Sequence, residues 1–336
     1  MGLGIGRIGA ALALSLAAFA PLQANAQTVD FEAAFDRSLG TDVRAPKTFE
    51  AVYDSSLERR IAQLADGDRG RIGVHAVDLS SGETVSILGD QRFPMASTSK
   101  IAIAATYLEG VEKGRWSLSS EFPLLIPVAS KPFSSTVAPV RRGNYMQAVE
   151  LIELMITRSS NPATDALLAA VGGPAAVNDW ARRAGIREFT LSRDIATLVR
   201  DDGEIDPASH IDIRDSASPR AMVDLVSGIY QGKWLNSQSR RVIIGAMERC
   251  RTGKRRIPAY IPASATVAHK TGSLNNTSSD IGIITMPDGR SIALAVYVTG
   301  QGTRPAREEK IAAIARALYD GYGARPRGGN WTSASY

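Results

Sequence analysis

Cysteine is all but missing from this chain of 336 residues: Cys250 stands alone. One thiol closes no disulfide within the chain, and it excludes zinc sites built on two or four cysteines. Histidine is nearly as scarce. His75, His210 and His269 are scattered, with neither H-E-x-x-H nor H-x-H among them, which argues against a His-rich catalytic metal site. No strong excess of one charge is present either: 39 Lys and Arg against 34 Asp and Glu leave a formal +5. The densest basic cluster is Lys254-Arg255-Arg256, with Arg251 just ahead. It lies in one short stretch without interleaved aromatics, and it reads as solvated surface rather than as a nucleic-acid interface. The nucleophile elbow G-x-S-x-G is absent, which removes the α/β-hydrolases. Apolar residues are plentiful at 44%, so the chain can bury a substantial core, as one large domain or two closely packed ones.

The main long apolar run sits at the start. Met1 to Arg7 carries one positive charge, Ile8 to Leu22 is almost wholly apolar, and Ala24-Asn25-Ala26 has the small-residue pattern of a signal-peptidase site. The run is short for a membrane span, and no cysteine follows it to carry a lipid. The expectation is a cleaved signal peptide over residues 1–26, a mature chain starting near Gln27, a periplasmic or secreted location and no stable membrane anchor. Gly4-Ile5-Gly6-Arg7-Ile8-Gly9 matches the dinucleotide fingerprint. That motif works only behind a buried strand, and too few residues precede Gly4 to form one.

Residues 27–47 lack periodicity and form a lead-in. Val52, Leu57, Ile61 and Leu64 recur at helical spacing within Phe49–Leu64. Ile72, Val74 and Ala76 then alternate with other residues, Ser80-Ser81-Gly82 turns, and Val85 and Ile87 resume the alternation as a hairpin. From residue 97 to 248 the chain reads mostly as helices: Ile101–Lys113, Met146–Thr157, Ala163–Val171, Pro174–Ala184, Pro219–Tyr230 and Ser237–Glu248. Strands return at Thr266–Lys270, Ile281–Met286 and Ile292–Val298, and Arg307–Tyr319 closes as an amphipathic helix. Strands at both ends with helices between predict an α/β (α+β) fold, an antiparallel sheet flanked by terminal helices with an inserted all-helical domain. The sheet domain would take residues 48–92 and 255–322, the helical domain 93–254, and a flexible tail 323–336.

Three segments carry chemistry together. In Phe93-Pro94-Met95-Ala96-Ser97-Thr98-Ser99-Lys100, a serine stands where an apolar helix begins and a lysine follows one turn later. A lysine desolvated in such a pocket can lose its proton and serve as a base. Taken alone, this reads more readily as a capping serine and a surface lysine. Arg158-Ser159-Ser160-Asn161-Pro162 breaks two helices and sets a hydroxyl and a carboxamide on a short loop, a pattern that also suits a simple cap. Ala268-His269-Lys270-Thr271-Gly272-Ser273 ends an apolar strand with a lysine and a glycine that permits close backbone approach.

S-x-x-K, then an S-D-N element, then K-T-G is the ordered trio of class A β-lactamases and penicillin-binding proteins. Here the middle element is Ser159-Ser160-Asn161, with Ser160 where the trio has aspartate. With Val171-Gly172-Gly173-Pro174 and the Asp280–Val298 strand pair, the chain resembles the class A β-lactamase family from roughly residue 48 to 322. The resemblance implies an acyl-enzyme on Ser97, activated by Lys100 directly or through water. Ser159 would relay a proton to the leaving nitrogen, with electrostatic help from Lys270. Backbone N–H groups of Ser97 and Ser273 would form the oxyanion hole. Asn161 would hold the substrate's side-chain amide, while Thr271, Gly272 and Ser273 would line the place of its carboxylate. Arg256 stands where some family members keep a carboxylate-anchoring arginine, with surface arginine as the other reading. The implied partner is a small-molecule β-lactam or a peptidoglycan stem peptide, met by a monomer with no metal and no cofactor.

The resemblance breaks on the omega loop, residues 193–215, whose neck an Arg193–Asp215 pair would close. Class A enzymes hydrolyse the acyl-enzyme with a glutamate of an E-x-x-L-N segment. Aligned without a gap from Gly172-Gly173-Pro174, its place falls on Ile195. Asp202 or Glu204 could reach the pocket if the loop carries an insertion, but both read more readily as solvated loop charges. Three readings follow: a β-lactam hydrolase with a slow or unusual deacylation, a DD-peptidase of stem peptides, or a penicillin binder trapped as its acyl-enzyme.

Overall fold

The computed structural model describes Tyr53 and residues 55–324. The signal segment, the lead-in and the tail beyond 324 lie outside the described residues. Helix α1 (Ser56–Leu64) starts where the Ser55 hydroxyl accepts the Glu58 N–H at 3.0 Å. The hairpin β1 (Ile72–Asp78) and β2 (Thr84–Ile87) follows. Strand β3 (Phe93–Pro94) leads through a 3₁₀ turn, Ala96–Ser99, into α2 (Lys100–Glu112). A second hairpin, β4 (Glu121–Pro127) and β5 (Val140–Gln147), precedes α3 (Ala148–Thr157), α4 (Asn161–Val171) and α5 (Pro174–Arg183). Between α4 and α5, Gly172 adopts φ 105°, a left-handed stop that glycine enters without strain, and Pro174 begins the next helix. Then come β6 (Phe189–Thr190), α6 (Ile195–Arg200), β7 (Ser216–Ala217), α7 (Pro219–Tyr230) and α8 (Ser237–Glu248). Strands β8 (Thr266–Leu274), β9 (Thr277–Thr285) and β10 (Ser291–Thr299) and helix α9 (Arg304–Gly323) complete the described chain.

The main sheet runs in the order β2-β1-β10-β9-β8, with every neighbour antiparallel. Both faces are covered, which is why β10 reads as a continuous apolar run rather than an alternating one. One face, with Val74, Ile284 and Val296, packs on α1 and α9 through Ile61, Ile311 and Leu318. The opposite face, with Ile281, Ala293 and Tyr297, shares its core with Ile101, Leu167 and Met222 of the helical layer. Strand β8 is the edge of this sheet, and the 3₁₀ turn packs against it.

The expected antiparallel sheet, terminal helices and helical insert are all present. The insert is not all-helical, however. The β4–β5 hairpin was read past because β5 is mostly exposed and carries Val-Arg-Arg-Gly-Asn-Tyr-Met-Gln, with no buried face to impose an alternation. Strand β8 also continues beyond Lys270 through Thr271-Gly272-Ser273-Leu274. Its pairing with β9 supplies the order there that side-chain hydrophobicity does not.

Candidate active site

The turn that carries Ser97 is unusual in its backbone. Ala96 stands at φ 48°, a conformation costly for a residue with a Cβ, and the surroundings hold it there. Thr98 Oγ1 donates to the Met95 carbonyl at 2.7 Å and meets the Tyr297 hydroxyl at 2.9 Å, tying the turn to the middle of the sheet. Ser99 Oγ donates to the Ala96 carbonyl at 2.8 Å. Ser97 itself is half-buried, while Lys100, on the first residue of α2, is wholly buried.

Lys100 Nζ donates to the Ser159 carbonyl at 2.8 Å, to Ser159 Oγ at 3.1 Å and to Asn161 Oδ1 at 2.8 Å. Lys270 Nζ reaches the same Ser159 Oγ at 3.1 Å, and it also donates to the Thr271 carbonyl at 2.8 Å. Two lysines from distant elements thus converge on one hydroxyl. Burial pushes Lys100 well below the ordinary range of an ammonium, and the nearby charge of Lys270 pushes the same way; Asp165 opposes both. Burial likewise brings Lys270 down to about 8, with Arg256 adding to the fall and Cys250 and Asp280 resisting it. A lysine that sheds its proton easily can accept one from a serine.

Ser159 occupies φ 56°, again a strained position at the centre of the site. Ser160 caps α4 by accepting the Ala163 N–H at 3.4 Å, a task open to aspartate as well as serine.

At the edge of β8, Gly272 is a steric necessity. A Cβ there would come within 2.5 Å of Ser279 Oγ and 2.7 Å of the Met95 carbonyl oxygen. The bare backbone lets the strand end lie against the Ser97 turn, where the N–H groups of Ser97 and Ser273 belong to neighbouring segments. Thr271 is buried and pairs its hydroxyl with Thr252 at 2.7 Å, while Ser273 is exposed. Beneath them lies Arg256, 1% exposed, which corrects the reading of its basic cluster as solvated surface; only Lys254, Arg255 and Arg251 stay exposed. Its guanidinium donates to Ser273 Oγ at 2.7 Å, to the carbonyls of Gly272 and Ser279 at 2.8 and 2.7 Å, and pairs with Glu308 at 3.0 Å. A cation this deep needs such partners, and α9 delivers the carboxylate.

The omega loop closes at its neck through Arg193 Nε and Asp215 Oδ2, 2.7 Å apart. Asp215 also accepts the N–H groups of Ser192 and Arg193, and its own carbonyl accepts the Met95 N–H at 2.9 Å, so the neck and the Ser97 turn are one structure. Inside the loop, α6 begins at Ile195, 2% exposed. The buried Asp165 carboxylate of α4 accepts the N–H groups of Ile195 and Ala196 at 2.7 and 2.9 Å. Burial raises Asp165 to about 6, against the pull of those two N–H groups. Asp194 serves as the cap of α6, accepting the Thr197 N–H at 2.7 Å.

Asp202 and Glu204 lie farther round the loop. Asp202 accepts the Asn275 N–H at 2.8 Å, and Glu204 pairs with Arg214 at 2.7 Å. Among the described residues neither hydrogen-bonds to Lys100, Ser159 or Asn161. A cleft of ≈ 370 Å³ runs beside Asn161 between α6 and the β4–β5 loop, with Val128, Ala138, Ile195, Ala196 and Val199 in its wall. Arg200 and Asp201, paired at 2.7 Å and 7% exposed each, fasten that loop through Ser135 and Phe133.

The structure therefore gathers Lys100, Ser159, Asn161 and Lys270, and sets Thr271, Gly272, Ser273 and Arg256 along one edge. Sequence reasoning missed Asp165, although an acid one turn after Asn161 within an apolar helix was a visible signal. It also missed a buried pair in which the His269 imidazole meets the Asp280 carboxylate at 2.9 Å. Among the described residues, no group of three His, Cys, Asp or Glu side chains is arranged to hold a metal ion.

The family model described as "Beta-lactamase enzyme family" matches residues 56–322. A curated β-lactamase of Streptomyces albus G is 32% identical over 276 residues, covering 80% of this chain and 85% of that protein. Among solved structures, a variant of the last common ancestor of Gram-negative bacterial class A β-lactamases superposes with a TM-score of 0.68 at 32% identity, covering 80% of this chain and 99% of that one. A mutant of PBP-A, solved as its acyl-enzyme complex with penicillin G, superposes with a TM-score of 0.67 at 28% identity, covering 80% and 96%.

Proposed function

The chain belongs to the β-lactamase enzyme family, a family of hydrolases related here to class A enzymes, and from that premise we propose that it opens β-lactam rings through a slowly hydrolysed acyl-enzyme on Ser97. The observation that carries this reading is the pairing of two buried lysines on Ser159 Oγ with an apolar residue, Ile195, at the head of α6. The first half suits acylation. Lys100 takes the Ser97 proton, Ser159 passes a proton to the departing nitrogen, and Lys270 steadies the charge that develops. The substrate carboxylate sits on Thr271 and Ser273, with Arg256 holding the Ser273 hydroxyl from beneath, and Asn161 meets the side-chain amide above the cleft. The second half does not suit deacylation, since isoleucine activates no water. Losing a positioned base costs on the order of 10²–10⁴-fold in its own step.

A second reading, cleavage of peptidoglycan stem peptides, draws support from Ile195 and from the likeness to PBP-A, a mutant of which was captured with penicillin G as an acyl-enzyme. Export with cleavage before Gln27 goes with either reading, and it is checked by the N-terminal sequence of the protein recovered outside the cytoplasm. The test of the assignment is covalent labelling by benzylpenicillin followed by intact mass. Ser97→Ala must abolish the adduct, and an adduct that survives the substitution overturns the nucleophile. Release of D-alanine from a stem-peptide mimic, with little ring opening of penicillin, would move the proposal to the second reading.

A further inference from the structure

The segment that follows α8, Cys250-Arg251-Thr252-Gly253-Lys254-Arg255-Arg256, lies against the end of β8. Thr252 Oγ1 meets Thr271 Oγ1 at 2.7 Å, and Gly253 sits so close that a Cβ there would strike Thr271 Cγ2. The Arg251 N–H donates to the Thr157 carbonyl at 2.8 Å, which sets Arg251 beside Arg158, the residue before Ser159. Two segments that touch the site thus bring four exposed cations together: Arg158, Arg251, Lys254 and Arg255. Neither residues 157–162 nor residues 250–257 contain an acid. The acids next along the chain are engaged elsewhere. Glu153 pairs with Arg249 at 2.8 Å, and the charge of Glu248 also acts on Arg249. Glu308 is held by Arg256 and Arg304. Exposed arginines on other faces are neutralised within the chain, Arg183 by Glu109 at 2.7 Å and Arg220 by Asp90 at 2.6 Å. Among the described residues, none of the four beside the site forms an ion pair.

Charges of one sign around a concave site draw in ligands of the other sign, raising capture rates by about 10–10³-fold at low salt. The two cations beneath the rim add little to this outward field. Arg256 is paired with Glu308, and Lys270 is buried against Ser159. The charge of the four exposed residues is therefore left for the ligand. The ring carboxylate of the substrate is assigned to Thr271 and Ser273, next to Thr252 and Gly253. A second anionic group attached beside that carboxylate stays within reach of their field, which extends about 10 Å at 0.1 M salt. We propose that Arg158, Arg251, Lys254 and Arg255 form a capture rim for dianionic substrates, those with a second negative charge on the ring substituent beside the carboxylate. The inference deepens the β-lactam reading given above by naming a preferred substrate class, and it rests on that reading. The four residues act before the chemistry, raising the rate of encounter, while Lys100 and Ser159 carry out the acyl transfer. A cationic substituent in the same place is repelled by the same field.

The test uses the purified protein and cephalosporins that share a thienylacetyl side chain. They differ only in the substituent beside the ring carboxylate, which carries an anionic carboxymethylthio, a neutral acetoxy or a cationic pyridinium group. Each second-order acylation rate is divided by that compound's rate of hydrolysis by hydroxide, which removes differences in ring reactivity. The normalised rate should be about tenfold higher for the anionic compound than for the cationic one at about 0.01 M salt. At about 1 M salt, where the Debye length is about 3 Å, the two should agree within about twofold. A ratio that is the same at both salt concentrations overturns the proposal. Arg158→Gln, Arg251→Gln, Lys254→Gln and Arg255→Gln combined should bring the low-salt ratio to within about twofold of unity. Arg141→Gln with Arg142→Gln, exposed cations of β5, should keep the wild-type ratio. An equal fall there would assign the effect to net charge and overturn the rim. Should the combined variant fail to fold, the salt dependence of wild type decides between the same two outcomes. Absence of an adduct with every compound strikes the assignment of Ser97 and the proposal with it, whereas adducts formed at equal normalised rates strike the rim alone.

Discussion

On the proposed reading, Ile195 separates acylation from hydrolysis of the acyl-enzyme. Its side chain is 2% exposed at the head of α6, held in place by the Asp165 carboxylate that accepts the Ile195 and Ala196 N–H groups. Ile195→Glu should therefore shorten the life of the benzylpenicillin adduct by about 10²–10⁴-fold with little change in its rate of formation. Time-resolved intact mass reads both, and an adduct lifetime unchanged in a folded variant would mean that deacylation is limited elsewhere. The lysines set the pH dependence. Lys270 titrates at about 8, below the ordinary 10.5, chiefly through burial. Its charged form is present below that value and lost above it, so the acylation rate should fall as pH rises through about 8. A rate that stays level to pH 10 would contradict the role given to its charge. The S-x-x-K and K-T-G segments were legible because each is a local string. His269 and Asp280 were not, because two separate segments bring them together and no local pattern marks the meeting. Arg256 looked solvated for the same reason, since Glu308 lies far along the chain.

Among the elements, β8 and α6 do most to shape the site. Strand β8 was recognised only to Lys270, because hydrophobic patterning stops there while pairing with β9 continues to Leu274. Its last turn of chain depends on Gly272. Gly272→Ala puts a methyl 2.7 Å from the Met95 carbonyl, and backbone does not yield as a side-chain tip would. The strand end should back away from the Ser97 turn, with acylation falling by about 10²-fold, the scale seen when an oxyanion donor is lost. A stopped-flow acylation rate within twofold of wild type would show that the contact is slack. Helix α6 was missed because Ile195–Arg200 is too short to show a period, and its order comes from the Asp165 carboxylate and the Asp194 cap. The β4–β5 hairpin escaped because its exposed strand has no buried face, although the loop at its tip helps wall the cleft beside Asn161.

At the scale of the whole molecule, the sheet and the helical layer share one core. Ile281, Ala293, Ala295 and Tyr297 of the strands pack with Ile101, Leu167 and Met222 of the helices, and the Ser97 turn lies between the two layers. Separation of the layers would expose apolar surface on both sides of that contact, so circular dichroism and tryptophan fluorescence should report a single thermal transition with one midpoint. Two resolved midpoints would mean that the layers unfold independently. This architecture was readable from strands at both ends of the chain with helices between, since terminal segments with buried faces must pair with each other. The site rests on that layout: two lysines from different layers meet on Ser159, and the proposed reading puts the isoleucine of the loop below where hydrolysis would use a base. The most direct test mixes the purified protein with benzylpenicillin and follows intact mass and penicillin loss together. The account predicts one adduct per chain on Ser97, formed quickly and outlasting many acylation times, with slow steady loss of penicillin. Rapid loss of penicillin without a detectable adduct would contradict it, and would show that a base other than residue 195 activates water in this enzyme.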